Sequence, residues 1–357
     1  MKTLSVIVPT YNVEAYLGKC LDSLIVNRND LEVLVIIDGS KDKSREIAET
    51  YQERYPDIFR VIVKENGHYG SCINVGLSQA QGKYIKVLDA DDYYDAGFED
   101  YVSFLEKTDA DVVFTDFVSV DENDAVLYKS RFCSSQSETK GSIEDLVRYG
   151  TQLMYHYELT YRTAILREMH YKQTEGISYT DLEWSTLPFS RIQTYVYSPR
   201  IIYRYLKGRA GQSIDIRYRK NNMWMENKVV LGIVRQYETL KDGIAPANKA
   251  VLTTFVYNLV RIVYLHYLIN YRGVLEESEL SSFDKDLLEA SETIYQMEAK
   301  AADIRKYGSF HYVNDFRNKP AGYRLKYLYY DVCRYAGAVI EKLRTGRKGP
   351  LFIDEVH

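Results

Sequence analysis

Cysteine is scarce in this chain of 357 residues: Cys20, Cys72, Cys133 and Cys333 are all there is. None forms a C-x-x-C pair and the spacings suit no zinc site. Four scattered thiols point to a reducing compartment and exclude a disulfide framework. Neither sign of charge dominates, since the net charge is −4, and no basic field speaks for nucleic acid. There is no P-loop, and "GHYGS" is no nucleophile elbow because its Ser71 is not flanked by Gly on both sides. The apolar run in "MKTLSVIVPT" is too short for a secretory signal and ends at Pro9. A cytoplasmic protein is expected. The most apolar long window, residues 251–271, carries Asn258, Arg261 and His266. A membrane span should not hold these, so a buried or docking helix is expected there. No internal repeat or low-complexity linker interrupts the chain.

The length suits a main domain and a second one. "LSVIV" (4–8), "LEVLVII" (31–37), "RVIV" (60–63), "YIKVL" (84–88) and "DVVFTDF" (111–117) read as strands. Between them, residues 14–26, the stretch after "DGSKDKS", and residues 71–80 read as helices. This alternation predicts an α/β fold with a mostly parallel sheet flanked by helices. From about residue 216 the pattern is mainly helical, so residues 1–215 and 216–357 are expected to be separate domains.

In parallel sheets, ligands bind beyond the carboxyl ends of the strands. Polar clusters stand at those ends: Pro9-Thr10-Tyr11-Asn12, Asp38-Gly39-Ser40, Asn66-Gly67-His68 and Asp89-Ala90-Asp91-Asp92. Each alone is an ordinary turn; together they imply one polar site. Asp89 and Asp91, two apart, fall on one side of a strand end. Carboxylates there form part of a shell for a hard divalent cation, Mg²⁺ or Mn²⁺, completed by phosphate oxygens and water. A solvated acidic turn capping the next helix accounts for the same spacing.

The blocks "SVIVPTYNVEAYLGKCLDSL", "EVLVIIDGSKDKS" and "NGHYGSCINVGLSQAQGKYIKVLDADD", followed by "LTYRTAILRE" (159–168), "GISYTDLEW" (176–184) and "IIYRYLKGRAGQSI" (201–214), resemble the inverting nucleotide-sugar glycosyltransferases of family 2, with the GT-A fold. The resemblance covers roughly residues 1–215. It implies a Rossmann-like catalytic domain that moves a sugar from a nucleoside-diphosphate sugar, UDP-sugar favoured, to a hydroxyl of a glycan or lipid-linked acceptor. It implies a Mn²⁺ or Mg²⁺ cofactor, and a role in cell-wall, capsular or exopolysaccharide synthesis.

Position by position, the resemblance puts Pro9, Thr10, Tyr11, Asn12 and Glu14 in the wall of the nucleotide pocket and Asp38 near the base. Asn66, Asn74, Asp89 and Ala90 join the donor contacts. Asp91 and Asp89 form the D-x-D metal pair. Asp181 is the catalytic base, which the start of a helix at "TDLEW" would otherwise explain as a cap. Gln212 and Ser213 belong to a closing loop, and His156 lies in a stretch (119–158) expected to shape the acceptor side. The chain departs from the family at Ile37, Ile73 and Thr180, where an acid, a basic residue and Glu are usual. His68 and Arg209 are then candidates to contact the diphosphate.

Two other classes stay open. A sugar nucleotidyltransferase would need a Gly-rich basic loop after strand one, and "PTYNVEAY" has neither Gly nor Lys. A non-catalytic partner subunit with this fold would not need Asp89, Asp91 and Asp181. At the other end, Leu325, Leu328, Val332, Tyr335 and Val339 make one apolar stripe in residues 323–348, among seven basic residues and two acids. Such a helix can lie on an anionic membrane at the inner face of the cell membrane. Packing on the protein or on a second copy in a homo-oligomer fits the same residues.

Overall fold

The computed structural model describes residues 2–132, 135–149, 154–208, 212, 215–300, 303–305, 308–329 and 332. The chain divides into two units, residues 1–215 with 243–252, and residues 216–242 with 253–357.

In the first unit the strands are β1 (Lys2–Thr10), β2 (Leu31–Asp38), β3 (Phe59–Lys64), β4 (Gly82–Val87), β5 (Tyr93–Tyr94), β6 (Val112–Val120), β7 (Val126–Lys129), β8 (Thr139–Ser142), β9 (Leu159–Arg162) and β10 (Thr194–Leu206). Its helices are α1 (Glu14–Asp22), α2 (Ser44–Arg54), α3 (His68–Gln79), α4 (Phe98–Glu106), α5 (Ile143–Tyr149), α6 (Thr163–Glu168) and α7 (Asp181–Thr186). The sheet runs β3-β2-β1-β4-β9-β6-β10-β5, with β7 on β6 and β8 on β10. The first four strands are parallel to one another. The predicted fifth strand, now β6, does not pair with β4; β9 lies between them, antiparallel to both. Four residues of "LTYR" are too short to announce a strand by periodicity, and pairing on both sides holds them in place. The fold is the expected α/β one, with a mixed sheet beyond β4.

Apolar residues on both faces explain why β1 and β2 are interior strands. Leu4, Val6 and Val8 of β1 and Val33, Val35 and Ile37 of β2 share a buried cluster with Leu17 and Leu21 of α1 and Tyr101, Val102 and Leu105 of α4. Each fully buried aliphatic side chain contributes about 1.5–3 kcal/mol of transfer free energy. On the other face Ile7 meets α3 at Gly76, where an added Cβ would lie 2.6 Å from the Ile7 side chain. The chain runs from β1 outward through β2 to β3, then returns to place β4 on the other side of β1. That reversal opens a crevice beyond the carboxyl ends of β1 and β4.

In β10, Pro199 has no N–H to give the ladder. The register with β6 shifts between Ser198 and Ile201 and again before Tyr203. The distal half of the strand is thereby re-aimed, and Tyr203 points toward the crevice.

The second unit contains α8 (Ile216–Leu240), the distal part of α9 (Pro246–Leu265), α10 (Glu277–Ala290), α11 (Glu292–Lys300) and α12 (Tyr312–Asn318). A π turn, His266–Asn270, extends α9. Residues 246–270 are long and apolar enough to cross a membrane by length and composition, but 67% of their most apolar window is buried inside the structure. Burial of that order fits the expected core helix. Within this unit Arg317 donates to Asp284 at 2.7 Å and to the Tyr295 carbonyl at 2.8 Å. These bonds satisfy a largely buried guanidinium.

The α3–β1 contact gives a prediction of sign. Gly→Ala inside a helix ordinarily gains up to about 1 kcal/mol. Gly76→Ala is expected to lose stability instead, by about 1–3 kcal/mol from overpacking against Ile7. The urea midpoint should fall with the slope unchanged; a raised midpoint would contradict the close approach.

Candidate active site

The loops at the carboxyl ends of the strands are tied to one another by their own polar groups. After β1, the Asn12 carboxamide oxygen accepts from the Lys41 N–H at 2.9 Å, and Glu14 Oε2 accepts from the Lys43 N–H at 2.8 Å. In return Asp42 accepts from the Glu14 N–H at 2.9 Å, and Ser40 donates to the Thr10 carbonyl at 3.2 Å. Asn12 and Glu14 thus knit the first loop to the second. Pro9 is half-buried, Thr10 is buried, and Tyr11 is exposed on the same loop.

Asp38 ends β2 and is 2% exposed. Its Oδ1 accepts from Lys64 Nζ at 2.6 Å and from the Gly67 N–H at 2.9 Å, while Asn66 donates to its carbonyl at 2.9 Å. Asp38 and Asn66 therefore fix the loop that leads into α3. Asn74 of α3 donates to the Gln173 carbonyl at 2.9 Å and to Glu175 at 2.8 Å, and accepts from the Gln173 N–H at 2.8 Å. It ties residues 173–175 to α3, and these lead toward Asp181. Gln212 is buried: it donates to the Leu206 carbonyl at 2.6 Å and accepts from the Gly208 N–H at 2.9 Å. It staples its own turn. Ser213 and Arg209 lie outside the described residues.

The acidic cluster is the centre. Tyr69 donates to Asp89 Oδ1 at 3.0 Å, and His156 Nε2 lies 3.1 Å from Asp89 Oδ2. The Asp89 N–H is 3.2 Å from the Tyr203 hydroxyl. On its far side, the His156 ring places Nδ1 3.8 Å from Asp181 Oδ2. The catalytic-base candidate and the D-x-D candidate thus face one another across a single imidazole. Ala90 is buried beside Asp89, Asp91 is half-buried, and His68 stands half-buried at the head of α3. Asp92 is buried: it accepts from Tyr203 at 2.7 Å and from the Leu206 N–H at 2.8 Å.

Electrostatics follow from this packing. Burial, then the neighbouring charges of Asp91 and Asp89, push the Asp92 carboxyl well above the usual carboxylate range. Burial alone would lower His156; Asp89 and then Asp181 more than offset it and raise the ring above the ordinary histidine value. Burial, Asp89 and Asp181 likewise push the Tyr69 hydroxyl up. Backbone strain gathers here as well. Asn12, His68 and Tyr179 have φ of 51°, 62° and 66°, a region that costs a non-glycine residue energy and often marks functional loops. Tyr179 turns the chain two residues before Asp181, which opens α7 in its first turn.

The floor is Lys86 of β4, 0% exposed. It donates to the Tyr157 carbonyl at 2.7 Å and the Leu159 carbonyl at 3.3 Å, which pins the segment carrying His156 to the strand carrying Asp89. Burial drags its pKa down to about 7, against a small upward pull from Glu158. Lys86, Tyr69 and Tyr203 were not among the expected site residues, and Asp92 stood only as a member of the acidic cluster with no role of its own. Lys86 had a legible signal, a lone charge in the apolar run "YIKVL". The two tyrosines had none in a chain holding 34 of them.

Residues 5–169 match the family described as glycosyl transferase family 2. The "Uncharacterized glycosyltransferase EpsJ" of Bacillus subtilis (strain 168) is 29% identical over 183 residues, which are 50% of this chain and 53% of that protein. The "Minor teichoic acid biosynthesis protein GgaB" of the same organism is 37% identical over 115 residues, 30% of this chain and 13% of that protein. The chain thus covers about half of one of these curated relatives and a small part of the other. Among solved structures, S. aureus TarS 1–349 in complex with UDP-GlcNAc superposes with a TM-score of 0.53 at 18% identity, covering 86% of this chain and 95% of that one. That likeness bears on the fold.

The position of Lys86 makes a pH prediction. Its folded value of about 7 lies below the ordinary lysine value of 10.5. Between the two the unfolded chain binds more protons, so this group makes stability rise with pH. Burial raises Glu158 to about 7 from 4.5, and the opposite slope it contributes lies below that window. Lys86→Met should therefore flatten the stability–pH curve between about pH 7 and 9, read from urea midpoints. An unchanged slope would show that the ammonium is not held in this buried place.

Proposed function

Because residues 5–169 match glycosyl transferase family 2, we propose that this chain moves a sugar, by an inverting single displacement, from a nucleoside-diphosphate sugar to the hydroxyl of a glycan or lipid-linked acceptor. The observation that carries this reading is the pairing of Asp181 and Asp89 across His156, 3.8 Å from one and 3.1 Å from the other. It gathers a base candidate and an acidic donor-site candidate in one crevice.

In the reaction, the acceptor oxygen forms a bond to the anomeric carbon as the bond to the diphosphate oxygen breaks. The electron pair leaves with the nucleoside diphosphate. An alcohol is a weak nucleophile, so its proton must go to a base as attack proceeds. Asp181, partly open to solvent at the head of α7, takes that proton in this reading. The nucleotide lies against the loops after β1 to β4, beside Tyr11, Asn66 and His68. A UDP-sugar is the favoured donor, and a UDP-sugar complex of a protein with the same fold supports that choice.

Asp89 and Asp91 offer carboxylate oxygens, the hard donors that Mg²⁺ and Mn²⁺ take. No group of three or more His, Cys, Asp or Glu among the described residues could hold a metal ion by itself. The set fits a cation that also draws oxygens from a diphosphate and water. Bound to Asp91 and Asp89, such an ion would neutralise the charge that develops on the leaving diphosphate. A relative named for minor teichoic acid biosynthesis supports an acceptor among cell-wall or related polysaccharides.

Contact with an anionic membrane is part of the proposal. Residues 323–329 are helical, and Leu325, Leu328 and Val332 are 69%, 53% and 59% exposed. Tyr335 and Val339 of the same stripe lie outside the described residues. Seven basic residues against two acids in 323–348 complement an anionic surface.

Asp181→Asn should retain nucleotide binding and lose about 10²–10⁴-fold in transfer, the usual weight of a general base. Asp91→Ala should lose cation-dependent nucleotide binding. A calorimetric panel of UDP and GDP with Mn²⁺, alongside a donor-hydrolysis assay, reads both. A folded protein that binds and hydrolyses none of them would move the reading to a non-catalytic subunit. For the membrane, sedimentation with phosphatidylglycerol vesicles should exceed that with phosphatidylcholine vesicles, fall with salt, and be lost in Leu328→Glu. A solution dimer abolished by the same change would instead make the stripe an interface between copies.

A further inference from the structure

We propose that His156 is a positioning residue that couples the two halves of the site, occupying Asp89 while no cation is bound and turning its hydrogen bonding to Asp181 when a cation and a diphosphate claim Asp89. This rests on the assignment of Asp89 and Asp91 to the cation and of Asp181 to the base.

Both carboxylate oxygens of Asp89 already accept from this chain's own donors, Tyr69 at 3.0 Å and His156 at 3.1 Å. These donors leave Asp89 fewer lone pairs to offer, so a cation that takes the oxygen facing His156 competes with the imidazole N–H for it. Tyr69 comes from α3 and lies edge-on to His156, ring centroids 6.2 Å apart. His156 comes from the turn between Tyr155 and Glu158, which Lys86 anchors through the carbonyls on either side. That anchoring leaves the ring free only to pivot about its own side-chain bonds. At 3.8 Å, Nδ1 is beyond hydrogen-bond distance of Asp181 yet within one small rotation of it. A ring released from Asp89 has Asp181 close to its other nitrogen. A hydrogen bond there orients the base toward the acceptor hydroxyl. Occupation of the donor side would then complete the acceptor side, and the base would be held ready only when a donor is present.

The arrangement predicts opposite effects on binding and on turnover, which a merely structural residue would not give. Three proteins are compared: wild type, His156→Phe, which fills the space without either nitrogen, and His156→Gln, whose amide N–H can stand where Nε2–H stands. Mn²⁺ binding is measured by calorimetry, alone and with UDP, beside steady-state transfer or donor hydrolysis. In His156→Phe the competitor for Asp89 is gone, so Mn²⁺ should bind about three- to tenfold more tightly, the scale of one net hydrogen bond no longer broken. Its kcat should fall. In His156→Gln the Mn²⁺ affinity should return toward wild type while kcat stays low, because the Nδ1 side is not restored. Weakened or unchanged Mn²⁺ affinity in a folded His156→Phe would overturn the coupling and leave the donor-site assignment intact. Failure of the wild type itself to bind Mn²⁺ with UDP would overturn both. Urea midpoints of the variants separate these results from loss of fold.

Discussion

Asp89 is the point on which the site depends. Its carboxylate is held by Tyr69 from α3 and His156 from the segment before β9; its N–H faces Tyr203 of β10, and its carbonyl lies 3.7 Å from the Cys20 thiol of α1. Four separate parts of the first unit therefore converge on one residue at the end of β4. Like charges at Asp91 and Asp92 would push this cluster apart. The fold answers in two ways: it sets an imidazole beside Asp89, and it buries Asp92 among donors that satisfy it. A buried carboxylate without such partners would cost several kcal/mol.

The sheet exists to make this convergence possible. The parallel half, β3-β2-β1-β4, brings four loops to one edge. The mixed half, entered through β9, brings His156 and, by way of α7, Asp181 to face them. Pro199 breaks the regularity of β10 and lets Tyr203 reach the cluster. Strained backbone at Asn12, His68 and Tyr179 lies in loops around this site. Strain of this kind persists only where surrounding packing over-determines the conformation. Here the reciprocal bonds between the first two loops and the clasp of Asn74 on residues 173–175 supply that packing.

Much of this was legible in the sequence, and the limit has a physical form. The first four strands declare themselves by apolar runs that end in polar clusters; β1 and β2, buried along nearly their whole length, must be apolar until they leave the sheet. Asp89 and Asp91 stood out as carboxylates at such an exit, whereas Asp181, at a helix start that reads as a cap, was named only through the family resemblance. What could not be read is which distant side chain meets them. His156 is 67 residues from Asp89, and Tyr203 is 111 from Asp92. Periodicity carries no information across such gaps. Asn12 and Asp38 were legible as polar residues at the right loops, and Asn74 and Gln212 only through the resemblance, yet the backbone groups that these side chains bind appear only in three dimensions. β9 escaped notice for a related reason: its strand character comes from its neighbours.

The central claim is that Asp89 is shared between the chain's own donors and a cation–diphosphate pair, with His156 passing between the two carboxylates. Crystals of the wild-type protein soaked with Mn²⁺ and UDP, with data collected at the manganese edge, test it most directly. The account predicts an anomalous peak bonded to Asp91 and Asp89 and to diphosphate oxygens, with His156 turned from Asp89 to within hydrogen-bond distance of Asp181. A peak elsewhere, or a bound diphosphate with the His156–Asp89 bond unchanged, would contradict it.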